Sequence, residues 1–588
     1  MFIALYSEAA TVIYSSTVSG NWTLAGSPYI IIDNVSVPTG ATLIVEPGVE
    51  VLFYNHCGIH VYGDLYSMGT ALLPINYSLH DTTGWATDTN SSIGWDGLYI
   101  DYPSISGDDS TNFAYSIFSY MACTAPTSGA NIYSRYRAFN FDHCNFSNNR
   151  RSLMKIEVDS VSHFEISYCN FEYNYNGYAH ANYFYEGTIH LHHNNFHDNI
   201  SGTTLLNFVN QHVLFYNNRV YNNEMTDTTL SPTIELEGCV GKVQDNVIYG
   251  NTSVFTAPLS CDHSVADISR NYICNNTALV GKHLGIICEA FQSGGGIRLN
   301  GLNTTKQSYL VRNNLIANNF SAGRGGAIDI SNTDASIFNN TIVNNKAGYG
   351  GGICISSPNS YLHTNVKIKN NLFYNNESYA TLETGSTGYE NVYVLTGDTV
   401  LYEYNWTQRD LSSDVKKYIA ANLELIGDST TNVVGTDPGL IDATVAADVT
   451  ESAMFKDFRL LPTSSCINHG DSTGTNADTL DYVRQVRIYG TSIDIGACEF
   501  NPGAFASTGI RNQYTQPSVS VYPNPAVNEL TIVSLNKIST LAIINIAGQT
   551  MLSHACNTNK LSMDISSLSK GIYFVSVNDG ELMKFVKE

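Results

Sequence analysis

The string NNTIVNN at residues 339–345 sets five polar residues around two branched apolar ones, and it has near copies in NNLIANN at 313 and NNLFYNN at 370. Aligning on it gives nine copies: CNFSNN (144), CNFEYN (169), NNFHDN (194), NRVYNN (218), NVIYGN (246), NYICNN (271), NLIANN (314), NTIVNN (340) and NLFYNN (371). Three columns emerge. The first holds Cys144, Cys169, Asn194, Asn218, Asn246, Asn271, Asn314, Asn340 and Asn371; the second is always apolar, from Phe146 to Phe373; the third is always Asn, from Asn149 to Asn376. Successive copies lie 25, 25, 24, 28, 25, 43, 26 and 31 residues apart, a repeat with insertions of variable length.

A period of this size means a solenoid or array. Before the copies, FNFDHC, FEISYC, IHLHHN and VKIKNN alternate with the period of a half-buried strand. The unit is therefore strand, polar corner, strand. One such coil cannot bury its own apolar face, so coils must stack about 4.8 Å apart into a parallel β-helix. A leucine-rich frame is absent, and propeller blades would be longer. An Asn repeated at a corner can hydrogen-bond the Asn above and below it, satisfying amides that a buried turn would otherwise strand.

At 588 residues the chain exceeds one compact core of roughly 250–300 residues, which fits an elongated repeat. Charged residues are 14% and tyrosines number 38, a composition for stacked β structure with little helix. The net charge of -23, with 29 Lys+Arg, argues against nucleic acid or an anionic membrane as partner, since both select basic patches. No apolar run of about 18 residues is present to span a membrane as a helix. The start MFIALYSEAATVIYSS lacks the basic and fully apolar parts of a signal peptide, so a truncated or internal start is expected. The 12 Cys show no zinc spacing and read as buried small hydrophobes plus a few bridges.

With these columns the chain resembles the right-handed parallel β-helix proteins, the pectate-lyase-like superfold, in which an asparagine ladder lines one turn. The stretch VSVPTGATLIVEPGVEVLFYNHCGIHVYGDLYSMGT (35–70) resembles their first coils, and WDGLYI (95–100) the strand that follows. DPGLID, DFRLLPTSSCINHGD and DIGACEF, within 437–500, resemble the terminal section of the choice-of-anchor Q group of surface proteins. A bridge between Cys466 and Cys498 would fasten the last coil there; two unpaired thiols is the alternative.

After a polar linker come VYPNPAVNEL, LAIINIAGQTM and LSMDISSLSKGIYFVSVNDGELMKFVKE, alternating strands with Gly and Asn-Pro turns that read as a small β-sandwich. These motifs resemble the type IX secretion C-terminal sorting domain of Bacteroidota. That resemblance implies export, processing and an extracellular or outer-membrane surface location. The expected all-β organisation is an N-terminal segment 1–26, a β-helix over 27–385, final coils with the anchor-like section over 386–500, a linker 501–517, and the sorting domain 518–588. Triplets such as DTT (81, 227) and DST (109, 428, 471) resemble that phylum's O-glycosylation sequence.

Fold alone does not settle function in such a superfold. The runs SGGGIRL (293), GRGGAIDI (323) and GYGGGICI (348) precede strands, so they read as corner turns and not as phosphate loops, which need a helix. Counting from them places Arg298 and Asp329 outward on neighbouring coils, with Glu235 on the same face. The resemblance to polysaccharide lyases implies Arg298 as base and Asp329 and Glu235 as Ca²⁺ ligands; a surface ion pair between Arg298 and Asp329 is the plainer reading. A second candidate is the outward strand face with Asp142, Glu165, His190 and His192. Glu165 and His190 fall in one column, close enough to share a metal ion, against a merely solvated polar face. The third is Tyr173, Tyr175, Tyr178, Tyr183 and Tyr185 in one extended corner loop, rings suited to stacking on sugars or to packing on the helix side. NTD at 332 lacks the partner motifs of polygalacturonases.

No motif demands a cofactor, and Ca²⁺ is the ion the acidic balance would suit. The expectation is an exported β-helix that binds glycans or another surface, with an acidic-polysaccharide lyase and a non-catalytic adhesin stalk as alternatives.

Overall fold

The structure, a computed structural model, describes residues 10–588 apart from 89–91, 102–110, 125–129, 136–138, 158–162, 177–180, 227–230, 280–281, 284–285, 288–293, 302–306, 358–363, 380–390, 396–398, 418–423, 427–428, 445–455, 474–479, 503–518, 523–525, 527, 546–548, 579–581 and 588. The chain divides into two compact units, Met1–Ser507 and Thr508–Glu588.

The first unit is built on three long parallel sheets. Sheet A has 16 strands from Thr11–Ile13 to Val433–Val434, sheet B 14 from Val35–Val37 to Val415–Lys417, and sheet C 15 from Gly20–Trp22 to Glu424–Ile426. Eight short strands, Tyr175–Asn176 to Glu377–Ser378, form sheet D between A and B. The chain runs C, A, B and back to C one coil further on, which is the expected parallel β-helix. Coiling starts before residue 27, since Thr11–Ile13 already pairs with Tyr29–Ile31. Alternate residues fill the interior, where Phe146, Phe171 and Phe196 stack with ring centroids 4.7 and 4.4 Å apart. Leu411–Asp414 is the one α-helix among the described residues.

The structure explains each letter of NNTIVNN. Thr341–Val343 is a sheet A strand, and the first Asn of each flanking pair, Asn339 (φ 56°) and Asn344 (φ 58°), turns the chain through the left-handed region that Asn tolerates. The second Asn of each pair is a rung of a ladder. Asn340 donates Nδ2–H to Asn371 Oδ1 at 3.0 Å, and Asn345 does the same to Asn376 at 3.0 Å. The first ladder runs through Asn194, Asn218, Asn246, Asn271, Asn314, Asn340 and Asn371, as expected, and extends to Asn405 and Asn432. In its first coils sulfur replaces the amide, Cys169 Sγ accepting from the Cys144 N–H at 3.3 Å. The second runs from Asn149 to Asn376, then through Asn391 to the buried carboxylate of Asp414.

The glycine runs are corner turns. Gly295, Gly326 and Gly351 stack so closely that a Cβ on Gly295 would lie 2.1 Å from the Gly326 carbonyl oxygen, and one on Gly326 would lie 2.2 Å from that of Gly351.

The described residues of 437–500 add no strand to the coil sheets. They turn back as a strap across the outer face of sheet A. The Lys456 N–H donates to the Tyr272 hydroxyl, the Ala497 N–H to Thr341 Oγ1 (2.9 Å), the Gly496 N–H to the Asn370 carbonyl (2.9 Å), and Trp406 Nε1–H to Ser465 Oγ (2.8 Å). Lys369 pairs with Asp471 at 2.5 Å, and Arg484 reaches Asp245 at 3.2 Å. Sheet A changes character to match. Its outward positions are polar in the early coils (Asn145, Ser147, Asn170, Glu172) and buried apolar further on (Val247, Leu315, Ala317, Val343, Leu372, Trp406).

The strap is held by a buried ionic knot. Asp481 accepts from the Gln485 and Glu499 N–H groups, Asp494 from those of Asn468 and Phe500, and Glu499 from those of Tyr489 and Asp494. One guanidinium, Arg487, lies within 3.8 Å of Glu499. Of the two readings for Cys466 and Cys498, the structure has the unpaired one: both thiols are free and buried, serving as small apolar fillers in this knot. Burial pushes Asp481 up to about 6 and Glu499 up to about 7, against the partial relief from backbone N–H groups and Arg487. The folded strap therefore holds these protons more tightly than the unfolded chain. Their contribution to its stability is full below about pH 4 and falls as pH rises through the folded values. Hydrogen exchange of the 480–500 amides should show an opening free energy about 3 kcal/mol lower at pH 8 than at pH 5. A constant or rising value would contradict the raised acids.

The second unit is antiparallel. Val519–Tyr522, Glu529–Asn545, Thr550–Asp564, Gly571–Val577 and Leu582–Lys587 make one five-stranded sheet, and register shifts along the two longest strands bend it around Leu530, Ile532, Ile543, Val575 and Phe585.

Candidate functional site

The sequence-derived trio falls on the outer face of sheet B. Two files of side chains run along it in cross-strand register. One holds His60, Tyr99, Tyr133, Lys155, Tyr183, Asn207, Glu235, Ser260, Arg298 and Asp329; the other holds Asp101, Arg135, Glu157, Tyr185, Val209, Glu237, Asp262 and Asn300. From His60 to Arg298 is eight coil steps, about 38 Å at 4.8 Å per step.

The N-terminal half of this face is aromatic. His60 stacks on Tyr99, and Tyr133 lies tilted against Tyr99, each pair at 5.2 Å. Charges flank the rings: Arg135 pairs with Asp101 at 2.9 Å, Lys155 with Glu157 at 2.9 Å, and the Tyr133 hydroxyl donates to Glu157 Oε2 at 2.9 Å. Tyr183 and Tyr185 stand next, their rings parallel and 6.4 Å apart.

The C-terminal half is polar. Arg298 Nη1 donates to Asp262 Oδ2 (2.7 Å) and Ser260 Oγ (3.0 Å), while Asn300 Nδ2 donates to Asp262 Oδ1 (2.7 Å). Thr204 Oγ1 and Asn207 Nδ2 both donate to Oε2 of Glu235, at 3.1 and 3.0 Å. Burial, with Asp262 close by, pushes the Glu235 carboxyl up to about 7.

Two expectations are corrected. Arg298 and Asp329 share a column but do not stand out into solvent; they are 3% and 0% exposed. Nor do they pair with each other, because Arg298 reaches back to Asp262 and Asp329 is held by Arg324 at 3.4 Å. A charge on this buried stretch of the outer face must be compensated, and each finds an opposite charge within reach, Asp262 one coil back for Arg298 and Arg324 for Asp329. A guanidinium locked on a carboxylate is poorly placed to take a proton as a base.

On sheet C, Glu165 and His190 occupy one cross-strand position as expected, yet Glu165 bonds His192 Nε2 at 2.8 Å. Asp142 lies one coil back against His143 at 2.9 Å and accepts from Ser167 Oγ at 3.1 Å. Among the described residues no group of three or more His, Cys, Asp or Glu converges to hold a metal ion.

The five tyrosines are split. Tyr173 and Tyr175 are 58% and 51% exposed at the corner leading into sheet D, Tyr183 and Tyr185 lie on sheet B, and Tyr178 is outside the described residues. His60, Tyr99, Tyr133 and Asp262 were not picked out from sequence. Aligning GLYID (97–101) under IYSR (132–135) would have revealed the ring file.

Comparison with known proteins gives three findings. The solved structure titled "Crystal structure of pectate lyase Pel9A" matches with a TM-score of 0.29 and 13% identity, covering 82% of this chain and 98% of that one. No curated protein matches the chain. Residues 520–588 match the family described as the secretion system C-terminal sorting domain, so the second unit is a type IX sorting domain and the protein is exported to the cell surface or beyond.

Proposed function

We propose that the protein is an exported β-helix that binds glycan along the outer face of sheet B. The observation that carries this is the register itself. Amphipathic rings and hydrogen-bonding side chains repeat along one straight face at the coil spacing, which suits an extended polymer with a ring and several hydroxyls per unit. The exported location supports it, since surface polysaccharide is met there. The net charge of -23 disfavours nucleic acid and anionic membrane.

The test is retention of the full chain on an array of immobilised polysaccharides, with Tyr183→Ala alongside. Loss of one ring of the file is expected to weaken retention about tenfold, roughly 1.4 kcal/mol. No retention of the wild-type chain on any glycan would sink the reading and leave a structural stalk as the better account.

A second reading, a carbohydrate-active enzyme at the same face, is favoured by one observation. A carboxyl pushed up to about 7, as in Glu235, is able both to give and to take a proton at neutral pH. New reducing ends or unsaturated products that vanish in Glu235→Ala would establish it.

A further inference from the structure

Resting on the glycan-binding reading, we propose that Glu235 and Arg298 bracket a subsite for an uncharged sugar residue, gripped through its hydroxyl oxygens. Thr204 and Asn207 both donate to one oxygen of Glu235, Oε2. An oxygen that accepts twice is a poor place for a proton, so the protonated acid carries it on Oε1, to which no hydrogen bond runs among the described residues. Arg298 spends Nη1 on Ser260 and Asp262 and leaves its buried Nε without a partner. A buried N–H without an acceptor costs free energy until a ligand oxygen supplies one.

The two groups are close enough to act together. Glu235, Ser260 and Arg298 hold one position on three successive coils, and the Arg298 guanidinium bends back over Ser260. It therefore stands about one coil step, ~4.8 Å, from the Glu235 coil. Two donors at that separation match two oxygens of one sugar ring.

The surrounding charge selects against an acidic sugar. Asp262, Glu237 and Asp329 flank the pair, and the guanidiniums of Arg298 and Arg324 are already matched to Asp262 and Asp329. A ligand carboxylate would add an unmatched negative charge beside buried carboxylates, which costs more than the one bond it would make. Hydroxyl oxygens meet both donors without that penalty.

The experiment is calorimetric titration of the full chain with neutral oligosaccharides (gluco-, manno-, galacto- and xylo-configured) and with oligogalacturonate and oligoalginate. Wild type, Arg298→Lys, Glu235→Ala and Glu235→Gln are compared, each checked by thermal melting. Arg298→Lys keeps the charge on Asp262 but removes the Nε donor, and Glu235→Gln fixes a neutral donor. The expected result is binding of a neutral oligosaccharide, weakened about tenfold by Arg298→Lys and by Glu235→Ala and kept within about threefold by Glu235→Gln, as single hydrogen bonds to charged or acid groups dictate. Tighter binding of the acidic oligosaccharides would overturn the uncharged-sugar inference and leave glycan binding standing. Neutral binding unmoved by both Arg298→Lys and Glu235→Ala would place the subsite elsewhere. Failure of the wild type to bind any of the probes would overturn both.

Discussion

Asn345→Leu is expected to destabilise the solenoid by about 5 kcal/mol, a large effect for a change that conserves volume. The Asn345 side chain accepts from the backbone N–H and the Nδ2–H of Asn319, both at 3.0 Å, and donates to the Ile316 carbonyl at 2.9 Å and Asn376 Oδ1 at 3.0 Å. Leucine fills the space and answers none of them. Every partner is buried, so no water replaces the lost bonds, and each orphaned group costs about 1–3 kcal/mol. Chemical denaturation of the wild type and the variant measures this directly. An unchanged midpoint would mean that the second ladder contributes nothing to stability, contrary to its burial.

Deleting the strap, by joining residue 436 to residue 501, should have the other large effect. The outer face of sheet A from Val247 to Trp406 would then meet water, with Tyr272, Leu315, Val343 and Leu372 between them. At about 1.5–3 kcal/mol per large apolar side chain, the loss is on the order of 10 kcal/mol. It would expose a continuous apolar stripe of the kind that drives association. The deleted form should melt well below the full chain, bind an apolar dye and self-associate in sedimentation. A monomer with an unchanged melting temperature and no dye binding would show that the strap is ornamental.

The stacking of coils was legible because it is written in one residue type at a fixed offset: Asn149 through Asn376 cannot be buried on corners unless each answers the next. The strap was legible too, in a signal left unused. CNFSNN and CNFEYN carry polar residues on both outward positions, whereas NLIANN and NTIVNN carry apolar ones on at least one, a difference that only a covering segment explains. The ion pairs on sheet B were not legible. Arg298 meets Asp262 across 36 residues that include an insertion of variable length, so sequence spacing does not reveal which carboxylate its coil will bring to it. The fate of Cys466 and Cys498 was hidden for a related reason: a pair of buried thiols and a bridged pair leave the same trace in the sequence. The sorting domain was the easiest part to read, since its turns are set by local Gly and Asn-Pro chemistry.

The two ladders have a direction. In both, each Asn Oδ1 faces the coil before it, and of the two Nδ2–H groups one returns to a carbonyl of that coil while the other reaches the Oδ1 of the coil that follows, from Asn149 and Asn194 onward. Strand peptides alternate and largely cancel along the axis, but side-chain amides, at about 3.5 D each, add up as they do in an α-helix. The ladder is therefore polar, its oxygens facing the earlier coils and its linking donors the later ones, and the second column ends there on Asp414, a carboxylate where the last N–H needs one. A coil added after the last rung must therefore offer an acceptor and one added before the first must offer a donor, so the two ends of a ladder are not interchangeable.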